Sequence, residues 1–212
     1  MNLLLVDMEK LRLKESELAR LGKVPRLNLV NSLSGYKSAN LIATANSQGV
    51  PNLAIFSSVI HLGSDPALLG FMLRPTTVAR HTYENIKETR HYTINHIHED
   101  MIEPAHQTSG KYPAGQSEFE ATGLTPETWE GQLAPFVAES RIQVGLRFEE
   151  EHMLKVNRTR LIVGRILEIR FPQEIQQSDG TLDLEKAKVV TISGADTYSL
   201  PATIRRMPYV RL

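Results

Sequence analysis

The chain lacks cysteine, net charge and long apolar runs, and each absence excludes a class of function. Without cysteine there are no disulfides, iron–sulfur clusters, thiolate zinc sites or cysteine nucleophiles, which is typical of a reducing cytoplasm. Lysine and arginine (24) balance aspartate and glutamate (24), so no overall field attracts nucleic acid or an anionic membrane. A ligand that carries phosphate must therefore be held locally.

Signals for membranes and for common nucleotide folds are also missing. The apolar stretch 67–73 is too short to cross a bilayer, and the first residues lack the basic segment of a signal peptide. No P-loop, G-x-G-x-x-G or G-x-S-x-G pattern occurs. With 212 residues, of which 41% are hydrophobic and 23% charged, the chain is predicted to form one soluble, cytoplasmic domain over residues 1–212.

Short segments of β-type composition dominate the middle of the chain. Residues 40–45 and 50–60 flank the polar residues 46–49 and predict a hairpin. A turn at Ser64-Asp65-Pro66 leads into a predicted apolar strand at 67–73. Further strands are predicted near 92–97, 142–148 and 161–169. Many short strands with few helices favour a mainly β, antiparallel barrel or sandwich.

Two helices are predicted. The first is capped by Asp7 and ends at Gly22 and Pro25, and it lies in an N-terminal arm, residues 1–28. The second runs over 78–88 and is capped by Thr77. Residues 99–128 are expected to be partly irregular, and the residues from about 195 to 212 are expected to form a tail.

The start of the second helix has the composition of an anion site. Helix N-termini present free N–H groups and the positive end of a dipole, and Arg74 precedes this one by three residues. Thr76 and Thr77 add hydroxyls, and Arg80 and His81 add donors on the first turn. The alternative is that Thr77 only caps the helix and Arg74 is a solvated strand end.

A second candidate lies where the strand 50–60 becomes polar. Phe56, Ser57 and Ser58 leave hydroxyls and backbone groups available to a flat polar ligand, unless the serines simply face solvent.

Two further readings of the sequence are weaker. His96, His98 and His106 lie near several carboxylates, but no known metal-ligand spacing accompanies them, so no metal site is predicted. Arg205, Arg206 and Arg211 in a neutral chain are expected to be solvated or to cover a partner subunit rather than to bind nucleic acid.

The order of these parts resembles the flavin reductase-like family, whose members have an FMN-binding split barrel. The similar segments, in chain order, are Asn40-Leu41-Ile42-Ala43-Thr44, Gly49-Val50-Pro51-Asn52-Leu53-Ala54, Ser57-Ser58, Ser64-Asp65-Pro66, Thr82-x-x-Asn85-Ile86-x-x-Thr89, Tyr92-Thr93-Ile94-Asn95, Phe119-x-x-Thr122-Gly123-Leu124-Thr125, Pro135-Phe136-Val137-Ala138-Glu139-Ser140 and Leu161-Ile162-Val163-Gly164. They extend over most of residues 30–200.

The resemblance implies a Greek-key split barrel and a homodimer with FMN near the interface. In this chain Phe56, Ser57 and Ser58 would border the flavin ring and ribityl chain. The residues implied at the phosphate are Arg74, Thr77, His81 and Thr82. Asn40 and Thr44 would lie near the polar edge of the ring, and His106 would approach the ring from the other subunit.

The implied function is that of an FMN-dependent oxidoreductase. NAD(P)H would reduce the flavin, and electrons would pass to a small molecule or a partner protein. No compact NAD(P)H signature occurs, and no catalytic residue is predicted. Two alternatives stay open: an FMN-binding electron carrier without nicotinamide activity, and a flavin-free interaction module.

Overall fold

The computed structural model describes residues 9–112 and 116–210. Twelve strands and five short α-helices make up this part of the chain. The helices are α1 (Glu15–Arg20), α2 (Lys23–Leu33), α3 (His81–Thr89), α4 (Ile102–Gln107) and α5 (Glu118–Thr122). The strands are β1 (Lys37–Ser38), β2 (Asn40–Ala45), β3 (Pro51–Phe56), β4 (Val59–Ser64), β5 (Ala67–Leu73), β6 (His91–His96), β7 (Pro126–Trp129), β8 (Gln132–Val137), β9 (Gln143–Met153), β10 (Arg160–Arg170), β11 (Thr191–Ser193) and β12 (Thr197–Ser199).

Seven strands form the central antiparallel sheet, in the order β3-β2-β6-β9-β10-β5-β4. The first and last strands of this order, β3 and β4, are joined by only Ser57 and Ser58. The sheet therefore remains open between two strands that follow each other in the chain. The predicted antiparallel split barrel is confirmed, and so is the hairpin of β2 and β3. Two small sheets, β1-β11-β12 and β7-β8, complete the fold.

Apolar clusters cover both faces of the central sheet. Within β2, Leu41 and Ala43 belong to one cluster, while Ile42 belongs to the other. The first cluster lies under α4 and α5, and it includes Ala105 and Phe119. Because side chains alternate along a strand, a strand buried on both faces is mostly apolar, as β2 is apart from Asn40 and Thr44.

The N-terminal arm differs from the prediction. Helix α1 ends at Arg20, just before Gly22, as predicted. A second helix, α2, begins directly after Gly22, and Pro25 lies in the first turn of α2 instead of ending a helix. Proline is tolerated in a first turn, where its missing N–H has no partner to lose. Neither α1 nor α2 has a buried residue, in keeping with the predicted outer position. Asp7, the predicted cap, lies outside the described residues.

The second predicted helix begins later than expected. Helix α3 starts at His81, after bends at residues 76–78, and Thr77 is therefore not its cap. Its buried side chains are Thr82, Asn85 and Ile86, whereas Val78 is exposed. The prediction that Thr77 caps the helix is wrong, because two hydrogen bonds set the inward face of α3: Asn52 donates to the Thr82 hydroxyl, and Asn85 donates to the Thr44 hydroxyl.

The predicted irregular region, 99–128, contains short helices separated by loops. A single 3₁₀ turn, Glu99–Met101, precedes α4. No helix in the described ranges is long and apolar enough to span a membrane.

Candidate functional site

The junction between β3 and β4 is held against β5 by one hydroxyl. Ser58 Oγ donates to the carbonyl of Met72 at 3.0 Å and accepts from the N–H of Met72 at 3.2 Å. This pairing places Ser58 close to the end of β5, two residues before Arg74. The structure therefore places the Ser57–Ser58 junction beside the end of β5, from which the chain continues to Arg74. The Ser58 hydroxyl is occupied by β5, so a ligand at the junction is left with backbone groups and with Ser57.

The outer edge of β3 is partly covered. The N–H of Leu53 points away from β2 and donates to Glu118 Oε2 at 3.0 Å. Since N–H groups of an edge strand face alternate sides, the backbone of Ile55 faces the same edge beyond Glu118. This edge offers hydrogen-bonding groups next to Ser57. Sequence reasoning missed Glu118 because nothing local indicates that a carboxylate in α5 reaches a strand 65 residues away.

The loop from β5 to α3 carries two guanidinium groups. Arg74 is exposed, and Arg80 is half-buried immediately before α3. The Nε atom of Arg80 is buried and has no hydrogen-bond partner among the described residues. The backbone N–H of Arg80 donates to Glu84 Oε1 at 3.2 Å, which orients the start of the helix. A buried guanidinium nitrogen without an acceptor is costly, and an anion would satisfy it.

The predicted residues around this loop differ in exposure. Thr77 and His81 are exposed, Thr76 is half-buried, and Thr82 is 6% exposed. The Thr82 hydroxyl accepts from Asn52 Nδ2 at 3.1 Å. The loop thus retains the predicted donors, although α3 begins four residues beyond Thr77.

A buried polar network fastens α3 to the first hairpin. Thr44 Oγ1 accepts from Asn85 Nδ2 at 3.1 Å and from Asn52 Nδ2 at 3.4 Å. Because Thr44 is completely buried, its position under α3 gives it a structural role. The sequence analysis assigned no role to Asn52 or Asn85. Their position, one in an otherwise apolar hairpin and the other on the inward face of a helix, could have indicated that they are buried and hydrogen-bonded.

Two other predicted residues, Phe56 and Asn40, are neighbours across β3 and β2. The Phe56 ring packs edge-on against Phe71, with 5.0 Å between ring centroids. Asn40 is completely buried, and its Nδ2 donates to Ser38 Oγ at 2.9 Å. Both lie beside the junction, but Asn40 exposes no surface to a ligand in this single chain.

His106 lies apart from the junction, in α4. Its Nδ1 is 2.9 Å from the hydroxyl of Tyr198, and the two rings meet edge-on. A cavity of about 340 Å³ lies beside them. Burial and the nearby Asp196 carboxylate raise the pKa of Tyr198 to about 12. Whether His106 meets flavin from a second subunit stays a prediction.

The histidines considered as metal ligands are dispersed. His96 is the cross-strand neighbour of Asn40, whereas His98 Nε2 lies 2.9 Å from the carbonyl of Glu139. Within residues 9–112 and 116–210, no three histidine, aspartate or glutamate side chains are grouped so as to hold a metal ion.

Comparison with known proteins decides the family. Residues 33–188 match the model of the flavin reductase like domain. The chain belongs to the flavin reductase-like family. The family binds flavin, and membership in it supports a general oxidoreductase activity.

Solved structures of several proteins share the fold. A split-barrel protein of Shewanella frigidimarina NCIMB 400, provisionally assigned as a flavin reductase, is 44% identical with a TM-score of 0.91, covering 95% of this chain and 100% of its own. Component B of nitrilotriacetate monooxygenase from Bacillus cereus has a TM-score of 0.82 at 18% identity, covering 94% and 100%. An FMN-binding protein from Thermus thermophilus has a TM-score of 0.68 at 15% identity, covering 82% and 90%.

We predict that His96 makes the protein less stable at mildly acid pH. Burial lowers the pKa of His96 to about 4, so the unfolded chain takes up a proton at His96 at a higher pH than the folded protein does. The contribution of His96 to stability is therefore lost as the pH falls from about 6.5 towards about 4, by about 1.4 kcal/mol per pH unit at most.

Urea unfolding between these pH values measures this effect. His96→Gln is expected to flatten the pH dependence, and the exposed control His152→Gln is expected to keep it. An unchanged slope in His96→Gln would contradict the assignment.

Proposed function

We propose that this protein is an FMN-dependent oxidoreductase that holds the phosphate of FMN in the loop 74–82. The observation that carries the proposal is the half-buried guanidinium of Arg80, whose Nε has no partner among the described residues. It lies at the N-terminus of α3, where N–H groups also favour an anion. The residues present therefore fit a phosphate.

Three charged or polar groups support Arg80 in this role. Arg74 enters from the end of β5, and His81 and Thr82 come from the first turn of α3. A phosphate dianion has several acceptor oxygens, and paired guanidinium groups match them well. Thr76 and Thr77 add hydroxyls from the loop between the two arginines.

The junction of β3 and β4 would receive the rest of the cofactor. Ser57 and the free edge of β3 beyond Leu53 supply hydrogen-bonding groups to the ribityl chain and to the polar part of the ring. The hydrogen bonds of Ser58 to Met72 keep this junction rigid. Rigid backbone donors orient a cofactor without reorganising when it binds.

When bound, FMN would supply the redox chemistry, accepting electrons from NADH or NADPH and passing them to a small molecule or a protein. This chain's own residues bind and orient the cofactor and limit the access of water to one side of it. The structure gives no described side chain a proton-transfer role at the junction, and none is assigned. The cytoplasm, where nicotinamide donors occur, is the proposed location.

The active form proposed is a homodimer with FMN near the subunit interface. Large apolar side chains are exposed in the N-terminal arm, including Val24 and Leu33, and in the C-terminal tail, including Ile204 (99% exposed). Exposed apolar side chains that are concentrated in two terminal segments are typical of surfaces that contact a partner. A second subunit would also bring groups such as His106 towards a flavin.

Loss of either arginine is predicted to weaken FMN binding. Arg74→Ala and Arg80→Ala are each expected to cost about 1–3 kcal/mol of binding free energy, the scale of a lost charged hydrogen bond. Quenching of FMN fluorescence during titration of the apo-protein measures the dissociation constant. The matched control is Arg20→Ala, in the exposed last turn of α1, which should bind normally. Unchanged affinity in both loop variants would place the phosphate elsewhere.

Reduction by a nicotinamide is predicted for the loaded protein. Anaerobic stopped-flow mixing with NADH or NADPH is expected to bleach the visible flavin band rapidly. Bleaching only when a partner reductase is added would show instead that the protein is an electron carrier. A preparation that takes up no FMN at all would contradict both functions.

A further inference from the structure

The cavity beside His106 lies between helix α4 and the segment that forms β12. The residues that line it are Ile102, Glu103, His106, Gln107, Asp196 and Tyr198. Ile102 and Tyr198 pack against the first apolar cluster, which also contains Ala105 of α4. The core thus holds both walls of the cavity in place. Its volume of about 340 Å³ suits a molecule the size of one or two aromatic rings.

Tyr198 holds the imidazole of His106 in one orientation. The Nδ1 atom of His106 lies 2.9 Å from the Tyr198 hydroxyl, and the two rings meet edge-on with 5.7 Å between their centroids. Burial and the Asp196 carboxylate raise the pKa of Tyr198 to about 12, so the hydroxyl keeps its proton at neutral pH. A hydroxyl that donates to Nδ1 leaves the proton of a neutral imidazole on Nε2. That atom is then the donor left for a ligand.

The wall next to this donor is apolar and aromatic. Ile102 lies four residues before His106, so the two side chains share one face of α4. The side chains of Ile102, His106 and Tyr198 are all half-buried, and each lines the cavity. Such a wall favours a flat apolar ring, and a single N–H donor selects a ring that carries an acceptor such as a carbonyl oxygen.

Two carboxylates border the cavity and limit the charge of a ligand. Glu103 lines it from α4, and Asp196 lines it from the turn before β12. Neither carboxylate takes part in an ion pair among the described residues. Two negative charges within a Debye length of the ligand repel an anion, and the N–H of His106 offers a cation no acceptor. An uncharged ligand fits this arrangement best.

We propose that this cavity binds an uncharged aromatic molecule whose carbonyl oxygen accepts a hydrogen bond from His106 Nε2. Tyr198 is a positioning residue, because it fixes the ring of His106 and determines which nitrogen carries the proton. Binding in the cavity requires no flavin. Only the use of such a molecule as an electron acceptor would rest on the function proposed above.

Benzamide and benzoate test the proposal, because these two probes differ in charge but hardly in shape. In imidazole NMR spectra of the flavin-free protein, benzamide is expected to shift the signals of His106 saturably. It is expected to bind about tenfold more tightly than benzoate, which the two carboxylates repel. The signals of His106 are identified by their absence in His106→Gln, and this variant should bind benzamide about tenfold more weakly.

Tyr198→Phe separates positioning from packing. The variant keeps the ring that packs on the core but removes the hydroxyl. It is expected to abolish the preference for a proton on Nε2, which the nitrogen chemical shifts of His106 report, and to weaken benzamide binding about fivefold. The control Tyr36→Phe removes a hydroxyl from a side chain that is 73% exposed and should change neither result. Glu103→Gln should strengthen benzoate binding about threefold and leave benzamide binding unchanged.

Three results would overturn the proposal. The first is the absence of a saturable shift of the His106 signals with benzamide up to about 10 mM, a range that covers weak specific sites. The second is equal affinity for benzamide and benzoate. The third is an unchanged set of His106 nitrogen shifts in Tyr198→Phe. Because the cavity is tested without flavin and FMN titration is read separately, failure of this cavity and failure of the proposed flavin site give different results.

Discussion

The central sheet is open between its two edge strands, and the proposed flavin site depends on this opening. Strands β3 and β4 lie at the two edges of the seven-stranded sheet, yet only Ser57 and Ser58 separate them in the chain. Two hydrogen bonds of the described residues border this gap: Ser58 bonds to the backbone of Met72 in β5, and Glu118 in α5 accepts the N–H of Leu53. Between these points the backbone of β3 keeps hydrogen-bonding groups that face outwards, and the loop that carries Arg74 and Arg80 begins beside them.

Helix α3 joins this opening to the rest of the fold. Thr82 and Asn85 bond to the hairpin of β2 and β3, and Ile86 enters the apolar cluster around Phe71. Groups that bond to one another in a buried site hold a single arrangement, because each unmet bond is costly there. The position of the helix N-terminus therefore depends on contacts made by residues in the first two turns of α3.

Much of the sheet could be predicted from the sequence, because its signal is local. Alternation and turn residues identify β2 and β3, and the segment 64–73 identifies a turn followed by β5. The start of α3 could not be predicted in this way: Thr77 is a good capping residue, but long-range bonds from Thr82 and Asn85 decide the register. The arm shows the same limit, since Gly22 and Pro25 can either end a helix or begin one.

The residues of the candidate site also divide into those that local sequence predicts and those that depend on long-range contacts. Arg74, Ser57 and Ser58 follow from local composition and from the family resemblance. Glu118 contacts Leu53 of β3, 65 positions away, and His106 contacts Tyr198, 92 positions away. No local sequence pattern indicates contacts over such separations. Thr44 is the opposite case. It lies in a segment that resembles the family and was expected near the flavin ring, but its buried hydroxyl accepts a hydrogen bond from Asn85 of α3.

The central claim is that this chain recognises its flavin by the phosphate. Titration of the apo-protein with FMN and with riboflavin, which lacks only that group, tests the claim most directly. Two guanidinium groups and a helix N-terminus predict that FMN binds at least about 100-fold more tightly than riboflavin, with a difference that shrinks as salt is added. Equal affinities for the two flavins would contradict the account.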